Sequence, residues 1–223
     1  MKLLALDTST DACSCAVYDD GTIYQRYELA PRKHAELILP MADSLLAEAG
    51  LQPRDMDAVV FGCGPGSFTG LRISCGVAQG IAFAADIPVI PVSSLAALAQ
   101  AAYQQYEKNH VCVAVDARME EVYWGEYHYD EQIQLMTLVD EERVCTPEQI
   151  PALNRDASFG VGNGWGVYGT RLQTHFDEMI TEYIVDYYPR AEMMLPFGVH
   201  QFRLGNTVEA AQASPVYLRN KVT

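Results

Sequence analysis

The chain has 223 residues, 29 of them acidic and 15 basic, for a formal net charge of −14. That length allows one large domain or two small ones and buries roughly 70% of the unfolded surface, and a content of 49% hydrophobic and 20% charged residues excludes a disordered acidic chain. The charge argues against gripping a phosphate backbone or an anionic lipid surface by bulk electrostatics, so direct tRNA, DNA or membrane binding is not expected.

In chain order, Leu3–Leu6, Cys13–Tyr18 and Thr22–Leu29 read as three short strands, with Asp19-Asp20-Gly21 as a hairpin turn between the second and third. A helix follows to Ala49, closed by Gly50. Its apolar positions Ile38, Met41, Ala42, Leu45, Leu46 and Ala49 repeat at helical spacing, with Pro40 marking a kink or a late start. Asp57–Gly62 reads as a buried strand, Gly64–Thr69 as a Gly-rich loop, Leu71–Ala85 as a helix and Val89–Val92 as a strand. Ser93 or Ser94 caps a helix running to Tyr106.

From His110 the order returns. Val111–Val115, Glu121–Tyr129 and Leu135–Val144 read as strands, and Thr146-Pro147 opens a short helix. Residues 158–161 form a strand followed by a Gly-rich loop, then a helix from Tyr168 to His175, a weak strand over 180–185 and a last helix Ala191–Leu204. Both halves therefore read β-β-β-α-β-α-β-α, a topological duplication in an α/β protein. Its expected division is 1–106 and 107–223, with the tail 206–223 packing back on the first domain. Two such halves facing a cleft resemble the actin-like, sugar-kinase and Hsp70-type ATPase group.

Asp7-Thr8-Ser9-Thr10 ends the first strand where such a fold faces phosphate or a hydrated cation, but Ser9 stands where the usual turn has glycine, and an Asx/ST turn into a hairpin is the simpler reading. The matching turn is Asp116-Ala117-Arg118, with a cation in place of a glycine. Gly64-Pro65-Gly66-Ser67-Phe68-Thr69-Gly70-Leu71-Arg72 places a tight turn at a helix N-terminus, suited to an anion or a partner, or to close strand–helix packing. It lacks the Lys-Ser/Thr pair of a P-loop and the spacing of a dinucleotide fingerprint. The Gly160–Gly169 loop stands where kinases of this group hold adenosine, crowded by Trp165 and Tyr168.

Gly76 and Gly80, flanked by Ala78 and Ala82, let another helix approach closely. With the apolar stripe of residues 38–49 they predict a docking face comprising Ile38, Met41, Leu45, Leu46, Cys75, Gly76, Gly80 and Phe83. Catalytic signatures are missing from the sequence: the five histidines never stand at i, i+4, and no GxSxG elbow is present. Six dispersed cysteines offer no CxxC or zinc spacing, so reduced thiols are expected, and the N-terminal apolar run is short for an export signal. A cytoplasmic protein is expected.

ALDTST, His34 followed by AELILP, FGCGPGSFTGLRI, VDARMEEVYWGEY and the closing PVYLRN together resemble the TsaB (YeaZ) family over nearly the whole chain. The resemblance implies a two-domain actin-like fold without robust catalysis of its own. It also implies pairing with a paralogue, TsaD, whose HxxxH site carries the catalysis. With the ATPase TsaE, these proteins support transfer of threonylcarbamoyl to the adenosine beside the tRNA anticodon. Homodimers form through helices of the first domain, and tRNA is met through the complex. Gly64, Gly66, Ser67, Thr69, Gly70 and Arg72 match the family's loop and Asp7–Thr10 its first turn. No intrinsic cofactor is implied, beyond weak ATP or ADP binding or nucleotide at the TsaD junction. Relatives run a few residues past NKVT. A small-molecule kinase or ATPase of the actin-like group is the alternative.

Overall fold

The structure, a computed structural model, describes residues 1–153, 159–177, 179–180 and 182–219. The chain forms two compact units, residues 1–97 with 189–216, and 98–188 with 217–223. This differs from a division at residue 106.

The first unit is built on β1 (Lys2–Asp7), β2 (Ala12–Asp19), β3 (Thr22–Leu29), β4 (Ala58–Gly64) and β5 (Val89–Ser93), in the sheet order β3-β2-β1-β4-β5. β1 pairs antiparallel with β2 and parallel with β4. The apolar runs of β1 and β4 follow from this central place, because both faces of the sheet are covered. Leu4, Leu6, Val59 and Phe61 pack under α1 (His34–Ala49) and α2 (Phe68–Ala85). Leu3, Ala5, Val60 and Ile90 pack under Met194 and Leu195 of a late helix.

That late helix (Ala191–Arg203, α5 in chain order) explains the shifted division. The amide of Ala191 donates to Ser14 Oγ at 2.9 Å, and its apolar side closes the far face of the first sheet. After it, Val208 exchanges two backbone hydrogen bonds with Val89 and Gln79 Nε2 donates to Ala213 O, while the Val216 amide donates to Cys63 O.

The second unit carries β6 (His110–Asp116), β7 (Val122–Asp130), β8 (Leu135–Leu138), β9 (Arg143–Cys145), β10 (Phe159–Val161) and β11 (Glu182–Ile184). Its order β11-β10-β6-β7-β8 repeats the first sheet, with antiparallel joints β6–β7–β8 and parallel joints β6–β10–β11. The expected strand Leu135–Val144 is instead two strands, both on β7, broken at the charged Asp140-Glu141-Glu142. The helix expected at Thr146-Pro147 is one 3-10 turn, Pro147–Gln149. Residue 158 of the expected strand lies outside the described residues.

Helix α3 (Ser94–Tyr106) begins in the first unit and ends in the second, with Ser93 Oγ accepting the amides of Leu95 and Ala96. Helix α4 (Asn163–His175) starts five residues before the expected Tyr168, inside the Gly-rich stretch, and this puts Trp165 in the core. The indole Nε1 donates to Cys112 O at 3.1 Å. Trp165 therefore has no face to offer an adenosine. By length and composition α2 could cross a bilayer, but Leu71, Cys75, Ala78 and Ala82 are buried within the first unit.

A Cβ on Gly198 would stand 2.6 Å from Val60 Cγ2 and 3.3 Å from Leu3 Cδ1, so α5 meets the sheet without spare room. Gly198→Ala is expected to lower unfolding free energy by about 1–3 kcal/mol in urea melts, through overpacking of a β-branched neighbour. A variant as stable as the wild type would contradict that packing.

Candidate functional site

The turn after β1 and the loop after β4 are joined to each other. Thr8 Oγ1 donates to Gly70 O and the Ser67 amide donates to Ser9 O, both at 2.7 Å. Gly66 and Gly70 make the approach possible: a Cβ on Gly66 would collide with Ser9 O, and one on Gly70 with Thr8 O. Gly64, at φ +118°, lies in a region that disfavours side chains, and its Cβ position is 2.7 Å from Val216 O. Ser67 caps α2, accepting the Gly70 amide at 3.4 Å.

Asp7, Thr8 and Ser9 are fully buried, and Thr10 is half-buried with its hydroxyl accepting the Ala12 amide. The Ser9 amide and hydroxyl donate to Asp7 Oδ1 at 3.2 and 3.0 Å, while Oδ2 has no hydrogen-bond partner. Burial raises this carboxyl to about 7, partly offset by the two Ser9 donors.

An actin-like nucleotide site would need this turn to face a phosphate and a divalent cation. Of the turn's hydroxyls, Thr8 Oγ1 bonds the loop, Ser9 Oγ bonds Asp7 and Thr10 Oγ1 accepts the Ala12 amide, so each is engaged within the chain. Asp7, Thr8, Ser9, Gly64, Gly66 and Gly70, expected to face phosphate, pack together in the joint between turn and loop, Gly66 part-exposed and the rest buried. Ser67, Thr69 and Arg72 remain exposed, the Arg72 guanidinium lying 3.8 Å above the Phe68 ring.

The second turn is built differently. Asp116 Oδ1 accepts the Arg118 amide at 2.8 Å and the Tyr168 hydroxyl at 3.3 Å, and Oδ2 lies 2.9 Å from Arg118 Nη1. The Asp116 amide donates to Asn163 Oδ1 at the start of α4. Arg118 is thus committed to its own turn, although its side chain is 84% exposed.

The predicted docking face divides in two. Ile38, Leu45, Leu46 and Cys75 are at most 5% exposed in the core beside Leu4, Leu6, Val59 and Phe61, so they cannot meet a partner. Met41 is half-buried against that core. Gly76, Gly80 and Phe83 do face solvent, Phe83 at 80%. The helical stripe was real, and most of it is the side that seats α1 on the sheet. Sequence reasoning missed Phe68, an apolar side chain exposed at the start of α2, whose signal is its place directly after the cap. Among the described residues no group of three or more His, Cys, Asp or Glu is gathered to hold a metal.

Duplicated sheets of this order define an α/β protein of the actin-like ATPase type. A family profile described as "TsaD: tRNA N6-adenosine threonylcarbamoyltransferase" matches residues 22–204. The tRNA threonylcarbamoyladenosine biosynthesis protein TsaB of Haemophilus influenzae is 43% identical over all of this chain and 95% of its own length. The TsaB protein of Escherichia coli is 41% identical over all of this chain and 96% of its own. The solved structure of YeaZ from Pseudomonas aeruginosa superposes with a TM-score of 0.90 at 45% identity, covering 97% of this chain and 99% of that one. The chain belongs to the TsaB family.

Asp7 gives the joint a pH signature. Its folded pKa, about 7, lies above the ordinary aspartate value of about 3.9, so its contribution is fully present below pH ~4 and is lost as pH rises to about 7, by about 4 kcal/mol. Asp7→Asn is expected to remove that decline, measured as the difference in urea-unfolding free energy from wild type between pH 4.5 and 8. Parallel pH profiles for the two proteins would show that Asp7 does not titrate in this range.

Proposed function

We propose that this chain serves tRNA threonylcarbamoyladenosine formation as a non-catalytic subunit that docks on a TsaD-type catalytic paralogue, together with a TsaE-type ATPase. Alone, it pairs with a second copy; it reaches tRNA through the complex and works in the cytoplasm, without a nucleotide of its own. A nucleotide at the junction with the TsaD-type partner is compatible with this role.

The observation that carries the reading is the pair Gly76 and Gly80. Both sit inside α2, and nothing lies within 4 Å of where a Cβ would stand on either. Alanine there would favour the helix by roughly 0.5–1 kcal/mol per site. The chain keeps glycine where its own packing does not ask for it, whereas a second helix crossing close to α2 does. Phe83, one turn further along, supplies a large exposed side chain for such a contact. Kinship with TsaB proteins over the full length supports the pathway, while the closed first turn and the histidine spacing support a role without catalysis.

Gly80→Leu is expected to shift the isolated chain towards monomer on a sizing column and to weaken binding to the TsaD-type partner at least about tenfold, roughly 1.4 kcal/mol. Its thermal midpoint should stay near wild type, and Gly76→Ala should raise it. Unchanged oligomer distribution and affinity in Gly80→Leu would contradict the docking face. ATP turnover by the isolated chain would favour the kinase or ATPase alternative.

A further inference from the structure

One run of consecutive basic side chains, Arg32-Lys33-His34, stands at the entry to α1. The turn leading into it is fixed: the Ala30 amide donates to Asp11 O and the Lys33 amide to Ala30 O, both at 3.1 Å. Arg32 holds the third place of this turn at φ 68°, where glycine is the less costly residue. Arg32 and Lys33 are exposed, and among the described residues neither has an ion-pair partner.

The helix that follows has an open positive end. No side chain caps α1, and Lys33 O accepts the Glu36 and Leu37 amides at 3.0 and 3.1 Å. The His34 and Ala35 amides are left without an acceptor among the described residues. His34 itself is only 8% exposed, and its Nε2 has no hydrogen-bond partner. Cα–Cβ bonds tilt towards a helix's N-terminus, which directs the ring of this first residue to the same end of α1. A buried polar atom left unpaired is costly, and this one lies at the helix end that carries two unclaimed amides and two unpaired cations.

We infer that the N-terminus of α1 is a binding site for a phosphate group, seated on the His34 and Ala35 amides and the His34 ring, with Arg32 and Lys33 flanking it. This donor set suits a multiply charged anion with several acceptor oxygens better than it suits a carboxylate. Glu36 is the opposing charge in the first turn, and the two cations outnumber it. With a net charge of −14 the chain as a whole repels phosphate, so capture depends on this local run. The site is separate from the exposed side of α2 and does not rest on the docking role. A tRNA backbone or a nucleotide in the complex offers the group.

The test titrates the isotope-labelled full-length chain with inorganic phosphate, ATP and tRNA in separate series and follows the backbone amide resonances. Saturable shifts of the His34 and Ala35 amides with inorganic phosphate are expected. Arg32→Gln combined with Lys33→Gln should weaken binding at least about tenfold and leave the thermal midpoint near wild type. Arg32→Gly should weaken binding while raising the midpoint, because glycine takes positive φ more readily. Gly80→Leu should bind phosphate as the wild type does, which separates failure of this site from failure of the docking face. Displacement of phosphate by tRNA, with a salt slope lowered by about two in the double variant, would name a nucleic-acid backbone as the source. Displacement by ATP and not by tRNA would name a nucleotide. Absence of saturable shifts, or equal shifts in wild type and double variant, would overturn the site.

Discussion

The short joint between residues 7–10 and 64–70 governs what the first unit can do. Two hydrogen bonds of 2.7 Å and two glycines without room for a side chain bring the β1–β2 turn onto the start of α2. With that contact formed, Thr8 Oγ1 is bonded to Gly70 O and Asp7 is fully buried, while Ser67 and Thr69 stay exposed at the start of α2. The same contact fixes the angle at which α2 leaves the sheet, with Ser74 Oγ donating to Gly62 O one turn further along. Part of the sequence motif that looks like an anion cradle fastens the β1–β2 turn to the start of α2.

The two units show one topology put to different ends. In the first, the turn after the Asp-terminated strand folds inward; in the second, the matching turn is braced outward with Met119 at its tip. The carboxylates differ accordingly. Asp7 is buried with one oxygen lacking a partner, whereas Asp116 is bonded by Arg118 and Tyr168. Duplication supplied equivalent positions, and local side chains decided which became fastening and which became surface.

The succession of strands and most helices along the chain is legible because period and punctuation agree: Gly50 ends α1 in the left-handed conformation, and Ser93 caps α3. The start of α4 was not, because Asn-Gly-Trp-Gly reads as a loop until Trp165 finds its place beneath β6. The docking face was half legible. Helical spacing identifies an apolar stripe on α1 but cannot say whether Leu45 faces a sheet or a partner; burial against Phe61 decides that. The β6–β7 turn, with Arg118, Met119 and Glu120 all at positive φ, was illegible in its shape, since none of these residues signals it.

The central claim is that this chain enables a reaction whose chemistry lies in another subunit. Reconstituting tRNA modification from a TsaD-type partner, a TsaE-type ATPase, ATP and threonylcarbamoyl-AMP, with this chain or the TsaD-type protein left out in turn, tests it most directly. The account predicts product when both are present and little when either is missing. Product formed without the TsaD-type protein would show catalysis in this chain, and product formed equally well without this chain would remove its role as an activating subunit.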